Sequence, residues 1–221
     1  MNPQNQLQFS VKTVFFPFLF VVSLWVVYSI EIQFHLNFNK WGIYPRTYLG
    51  LRGVLTAPFI HSDSKHLFNN SIPLLVLLTS IYYFYKDVAL KLVFYGGLLT
   101  GLLTWSFARE SYHIGASGIV YLLFSFIFFS GIIKKHYRLI ALSLMVIFLY
   151  GSMIWYVFPI QKNISWEGHL SGFLIGLFFA IYYRKTGILK EEFQYTTSQF
   201  DDFFDEEGNL IGIEKTEKKV E

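Results

Sequence analysis

The sequence predicts an all-α membrane protein, a bundle of six transmembrane helices with a large structured first loop. Three observations carry that prediction. More than half of the 221 residues are hydrophobic and a fifth are aromatic, more apolar surface than a soluble domain of this length hides. Six apolar segments are long enough, or nearly so, to cross a hydrocarbon layer of about 30 Å. Their connectors are short, apart from one long loop and a polar tail. By length the chain is one domain. There is no cysteine, which excludes disulfides, thiolate catalysis and Cys-based metal sites. A formal charge of +3, dispersed over loops, gives no sign of nucleic-acid binding.

Residues 1–13 carry one Lys, Lys12, and no small-residue cleavage site follows, so Val14–Ile30 reads as a retained first span rather than a cleaved signal peptide. The loop Glu31–Lys65 is rich in Phe, Trp, Tyr and Leu and broken by Gly42, Pro45, Gly50, Gly53 and Pro58. It is expected to fold back into the interfacial region and pack on the helices. The second span, His66–Tyr85, is preceded by His61 and opens with His66-Leu67-Phe68-Asn69-Asn70; His66 and Asn70, four apart, share a helix face. Pro73 inside it removes a backbone donor and should loosen or kink the first turns. The third span, Val88–Phe107, leads into Arg109-Glu110-Ser111, to which no chemistry is assigned.

The fourth span, Gly115–Ile133, opens with Gly115-Ala116-Ser117-Gly118, and Tyr121 follows Ser117 by one turn on the same face. Ser117 there suits a helix cap as well as a reactive hydroxyl. In the fifth span, Leu139–Phe158, Ser143, Gly151 and Ser152 read as packing residues. The sixth, Gly168–Tyr183, spaces Gly168, Gly172 and Gly176 by four, a flat stripe on which another helix packs closely, with His169 beside it. His35 and His113 fall in loops and His136 in a basic turn, where solvated side chains are expected. Residues 185–221 form a polar tail, acidic at Asp201, Asp202, Asp205, Glu206 and Glu207 with Phe200, Phe203 and Phe204 interspersed. It is expected to be solvated and partly disordered. Alternation of six spans puts Lys12, Lys86, Lys91, Lys134, Lys135, Arg138, Arg184 and Lys185 on one side, and only Arg109 and Lys162 in the opposite short loops. By the positive-inside rule both termini are cytoplasmic.

Spans two, four and six run in the same direction, so His66 and Asn70, Ser117 and His169 lie at similar depth in their first turns. Ionisable groups inside spans are costly and generally face the protein interior. A serine hydroxyl needs a base within about 3 Å to become a nucleophile, and His169 suits that task if the glycine stripe packs on span four. Tyr121 is placed to stack on the imidazole, the positioning that an Asp performs in a three-residue triad. Glu167, two residues from His169 on a helix, points elsewhere. An oxyanion would find donors in the Ser117 backbone N–H, the Asn70 amide and the His66 ring. These parts suffice for acyl transfer without metal or cofactor.

Gly115-Ala116-Ser117-Gly118 with Tyr121, His66-Leu67-Phe68-Asn69-Asn70 preceded by His61, and Gly168-His169-Leu170-Ser171-Gly172 followed by Gly176 resemble the rhomboid intramembrane serine proteases, in order and spacing over roughly residues 40–183. The resemblance implies a rhomboid-like fold over residues 14–184 and a catalytic dyad of Ser117 and His169. It also implies an oxyanion site from His66 and Asn70, and supporting roles for Gly115, Gly118, Tyr121 and His61. Its substrates would be transmembrane segments of single-span or polytopic membrane proteins, met among membrane lipids and without nucleic acid. Leu51-Arg52 stands where many relatives have Trp-Arg, which bears on how the first loop packs. The compact six-span form is similar to the bacterial basic type, implying the bacterial inner membrane. Two other readings fit fewer residues. One is a proteolytically silent relative that binds or escorts membrane clients. The other is a transporter or metal carrier using His61, His66 and His169, which the lack of an intramembrane Asp and of inverted broken spans disfavours.

Overall fold

The computed structural model describes residue 7 and residues 9–161, 164–190 and 203–210. Six long helices dominate: α1, Val11–Gln33; α2, Ser64–Phe84; α3, Ala89–Phe107; α4, Ser117–Lys134; α5, Tyr137–Tyr150; and α6, Trp166–Tyr182. Five are long and apolar enough to cross a membrane, α5 together with the 3-10 stretch Gly151–Val157 that continues it. With 17 residues, α6 is the shortest span, about 26 Å at 1.5 Å per residue. The protein is thus an all-α integral membrane protein. Among the described residues extended pairing is limited to two isolated bridges, Ile43 with His113 and Phe204 with Leu210.

Capping sets where the spans begin. The Asp63 side chain accepts the His66 backbone N–H and the Ser165 hydroxyl accepts that of Gly168. Each satisfies an otherwise orphaned donor of the first turn. Hence α2 and α6 start two residues earlier than their apolar runs. Pro73 is accommodated within a continuous α2. In α3 the residues Leu92–Gly96 are wound as a π-helix, and α5 tightens to 3-10 over Gly151–Val157; periodicity gave no sign of either.

At the centre stands α4, whose apolar window is 67% buried against 17% for α1 and 22% for the α5 stretch. It packs most extensively on α6, then on α5, while α1 leans on α2. The outer faces of α1 and α5 expose Phe18, Leu144 and Phe148, as suits helices that meet lipid. The stripe of α6 lies against α4 so closely that a Cβ on Gly172 would sit 2.1 Å from the Gly118 carbonyl oxygen, and one on Gly176 2.4 Å from that of Leu122. Between α4 and α5 the Ser143 hydroxyl lies within reach of the Ile127 and Leu139 carbonyls, at 3.0 and 2.9 Å. Ser143 is a packing residue there, with Gly131 leaving it room.

The first loop folds and packs on the helices, as its composition suggests. Its short helices Tyr48–Leu51 and Gly53–Thr56 are tied to the start of the next loop: Arg46 donates to the Ala108 carbonyl (2.8 Å) and the Trp105 indole donates to that of Thr47 (2.9 Å). Leu51 leaves no indole beside Arg52, and the Arg52 guanidinium instead lies over Trp41, 4.4 Å from the ring centre, donating to the Lys40 carbonyl.

Two expectations fail here. His113 is not solvated: it is buried, bridges Ile43 through both backbone groups and makes side-chain bonds described below. His136 is buried too, and its Nδ1 accepts the Arg138 N–H to cap α5. A side chain's loop position says nothing about what the neighbouring helices place over it. His35 is exposed, as expected.

The chain divides into two compact units, Met1–Lys190 and Glu191–Glu221. In the second, residues 203–210 form a tight turn in which Asp205 accepts the backbone N–H groups of Glu207 and Asn209. Phe200, Asp201 and Asp202 lie outside the described residues, as does Lys162.

Candidate active site

The first turns of α2, α4 and α6 meet at one end of the bundle. The Ser117 hydroxyl lies 2.9 Å from His169 Nε2, and His169 Nδ1 lies 2.9 Å from the Tyr156 carbonyl oxygen. A carbonyl only accepts, so Nδ1 carries the ring proton and Nε2 is left as acceptor for the Ser117 O–H. The imidazole is buried, and the Tyr121 ring lies flat against it, 4.2 Å between centres and 13° between planes. The Tyr121 hydroxyl donates to the Met153 carbonyl at 2.6 Å. Thus the 3-10 stretch Gly151–Val157 fixes the base twice, directly through Tyr156 and through Tyr121 by way of Met153.

On the other side of Ser117 the chain passes through Gly115 with φ +103°, a conformation that side chains resist. A Cβ there would lie 2.7 Å from His66 Cε1, 2.8 Å from His66 Nε2 and 3.6 Å from Asn70 Nδ2. His66 and Asn70, one turn apart on α2, therefore face the backbone just before Ser117. Asn70 is buried and its Nδ2 has no hydrogen-bond partner among the described residues. An unpaired buried amide donor costs about 1–3 kcal/mol, an arrangement suited to receiving an oxyanion. His66 is oriented by Ser62, whose hydroxyl donates to Asp63 (2.7 Å) and lies 3.3 Å from His66 Nδ1.

His61 stands behind. Its Nε2 accepts the Ala116 backbone N–H at 3.4 Å, and its ring meets that of His66 edge-on at 5.0 Å. Burial, and then the His66 ring, push its pKa down to about 4, so it is neutral at pH 7 and remains an acceptor. Its contact is with the loop backbone, a supporting position. Gly118 faces α6, where a Cβ would lie 3.4 Å from the Gly168 carbonyl oxygen. Beside Ser117 a cavity of about 40 Å³ is lined mainly by apolar groups such as Ile43, Val54 and Ile119, with Thr100, His113 and Ser165 adding polar atoms. That is room for roughly three or four waters, at about 10–15 Å³ each.

The candidate catalytic, oxyanion, supporting and helix-packing residues thus fall around Gly115 or along the α4–α6 contact. What sequence reasoning missed is mostly backbone: the Tyr156 and Met153 carbonyls belong to a stretch with no motif. Glu167 does point away from His169, but into protein: it is buried, faces Arg109 Nε at 3.6 Å and accepts the Arg109 N–H. Arg109, to which no chemistry was assigned, also donates to the Ile164 carbonyl. Among the described residues no group of three His, Asp or Glu side chains is arranged to hold a metal ion.

Residues 49–186 match the family model described as Rhomboid domain. Uncharacterized proteins of Mycobacterium tuberculosis and Mycobacterium bovis are each 33% identical to the chain over 168 residues, covering 72% of it and 70% of the relative. An uncharacterized protein of Mycobacterium leprae is 33% identical over 156 residues, 64% of this chain and 61% of its own.

Proposed function

Because the chain belongs to the rhomboid family, we propose that it is an intramembrane serine endopeptidase that cleaves transmembrane segments of other membrane proteins. The observation that carries this reading is the 2.9 Å contact between the Ser117 hydroxyl and His169 Nε2. His169 Nε2 takes the proton as Ser117 Oγ attacks the scissile carbonyl. The negative charge that develops on the carbonyl oxygen is met by the Ser117 N–H and Asn70 Nδ2, with the His66 imidazole edge beside them. His169 then returns the proton to the leaving amine, and water hydrolyses the acyl-enzyme.

Only unwound backbone can be attacked, since a helical carbonyl is hydrogen-bonded and shielded. Substrates are therefore spans with helix-weakening residues. They approach between α2 and α5, whose mutual contact is slight. The site opens to the external face of a bacterial inner membrane and both termini are cytoplasmic, because the basic residues gather at the opposite ends of the spans.

The test is incubation of purified protein in proteoliposomes with a panel of transmembrane substrates, alongside labelling by a fluorophosphonate. Wild type is expected to cleave within the span and to be labelled at Ser117, and Ser117→Ala to do neither. Cleavage that survives Ser117→Ala would refute the mechanism, and a wild type that binds clients without cleaving them would assign an escort role instead. Asn70→Ala is expected to lower kcat by about 10²–10³, the usual loss for one oxyanion donor, with KM little changed. Steady-state kinetics check it.

A further inference from the structure

We infer that His113 and Ser165 form a second, non-catalytic serine–histidine pair that holds the base-bearing helix in reach of the nucleophile. The inference rests on the protease reading above. His113 Nδ1 lies 2.6 Å from the Ser165 hydroxyl, and His113 Nε2 lies 3.0 Å from the Arg109 carbonyl oxygen. The carbonyl can only accept, so Nε2 carries the proton, and Nδ1 accepts the Ser165 O–H. Ser165 Oγ in turn accepts the Gly168 N–H at 3.3 Å, capping α6. His113 is buried, and burial lowers its pKa from the ordinary histidine value, which keeps this arrangement of protons at neutral pH.

The placement is what gives the pair its task. His113 precedes Ser117 by four residues, and Ser165 precedes His169 by four. The clasp and the dyad are two rungs between the same two segments, and the clasp is the shorter rung. On the α4 side His113 is immobilised by its backbone bridge to Ile43, at 2.9 and 2.8 Å. On the α6 side Arg109 adds a parallel tie to Ile164 and to the buried Glu167. Gly168 leaves room for Ser165 to fold back over the helix end: a Cβ there would approach Ser165 Oγ to 3.0 Å, a tight contact that the hydroxyl would have to yield to. The Ser165 carbonyl accepts the His169 backbone N–H at 3.2 Å, while the His113 and Ser165 side chains bond to each other and to Arg109 and Gly168 rather than to the Ser117 hydroxyl or the His169 imidazole, so both are positioning residues. A misplacement of about 1 Å between reacting groups costs on the order of 10²-fold in rate, which is the scale on which the clasp acts.

The experiment compares wild type with His113→Leu, His113→Asn, Ser165→Val, Ser165→Thr and the double variant His113→Leu/Ser165→Val. The readouts are kcat, KM, the rate constant of fluorophosphonate labelling per titratable site, and Tm. His113→Leu and Ser165→Val are expected to lower kcat and the labelling rate constant by about 10- to 100-fold with KM within about twofold. Ser165→Thr and His113→Asn, which keep a hydroxyl or an acceptor in place, should recover most of the loss, and the double variant should be no slower than the worse single one. A role confined to stability would lower Tm and the titratable fraction while leaving the labelling rate constant per site unchanged, and that result overturns the inference. So do multiplying effects in the double variant. A wild type that neither cleaves nor labels overturns the protease reading and this inference with it, whereas an active wild type with unaffected variants overturns the inference alone.

Discussion

His169→Ala is expected to lower kcat on a transmembrane substrate by about 10⁴- to 10⁶-fold while the protein remains folded in the membrane. The imidazole is the only side chain whose nitrogen lies at hydrogen-bond distance from the Ser117 hydroxyl among the described residues. The other nearby ring nitrogens face other groups: His61 Nε2 accepts the Ala116 N–H, and His66 Nδ1 lies 3.3 Å from the Ser62 hydroxyl. Removing the ring leaves the Tyr156 carbonyl without its side-chain donor and Tyr121 without the ring it covers, for a stability cost of about 1–3 kcal/mol. That is too little to account for a rate loss of this size. Ser117 and His169 act as a unit, so Ser117→Ala/His169→Ala should be no slower than either single variant. Turnover, fluorophosphonate labelling and Tm on the three variants check this. Retention of more than about 1% of wild-type turnover in His169→Ala would place the base elsewhere.

The parts of this site that were legible in the sequence are those whose chemistry is rare in lipid. Ser117, His66, Asn70 and His169 stand out because polar side chains in apolar runs are costly, and Gly168, Gly172 and Gly176 because a spacing of four leaves one face bare. Helix direction then brings three first turns to one depth. The rest depends on contacts between segments far apart in the chain. Nothing local marks Tyr156 as the partner of His169 Nδ1, since any residue supplies a carbonyl and the 3-10 winding that aims it follows from how the end of α5 packs. His113 read as a loop histidine because its burial comes from Ile43, 70 positions earlier, and from Ser165, 52 positions later. Arg109 and Glu167 likewise read as unrelated charges until the start of α6 is laid beside the end of α3. The π-helical turn of α3 was hidden for a different reason: its residues Leu92–Gly96 are as apolar as an α-helical span would be, and composition does not report winding.

The same reasoning makes Gly172 the residue at which fold and chemistry are most tightly joined, and Gly172→Val is expected to abolish activity without altering a single polar group. A Cβ at 172 would lie 2.1 Å from the Gly118 carbonyl oxygen and 3.0 Å from the Leu122 backbone nitrogen. These are backbone atoms of α4 and cannot rotate aside, so α4 and α6 must part by more than an ångström to reach ordinary contact. Overpacking of this kind costs about 1–3 kcal/mol or more, enough to lower Tm, but the kinetic consequence is larger. Gly118 is the neighbour of Ser117, and Gly172 lies three residues beyond His169 on the same helix, so separating the two backbones separates hydroxyl from imidazole. A displacement of about 1 Å predicts a loss of at least 10²-fold, and valine, with two further methyl groups, a greater one than alanine. Gly97→Ala is the matched control. That glycine too lies in a helix facing α4, at the wall of the cavity beside Ser117, but its Cβ would meet only the Ile119 side chain, at 3.7 Å, an ordinary contact. It should leave turnover intact and, with alanine's better helix propensity, raise stability by up to about 1 kcal/mol. Turnover and Tm of Gly172→Ala, Gly172→Val and Gly97→Ala decide the point. If Gly172→Ala cleaves as fast as wild type, the spacing of α4 and α6 does not govern the distance between base and nucleophile.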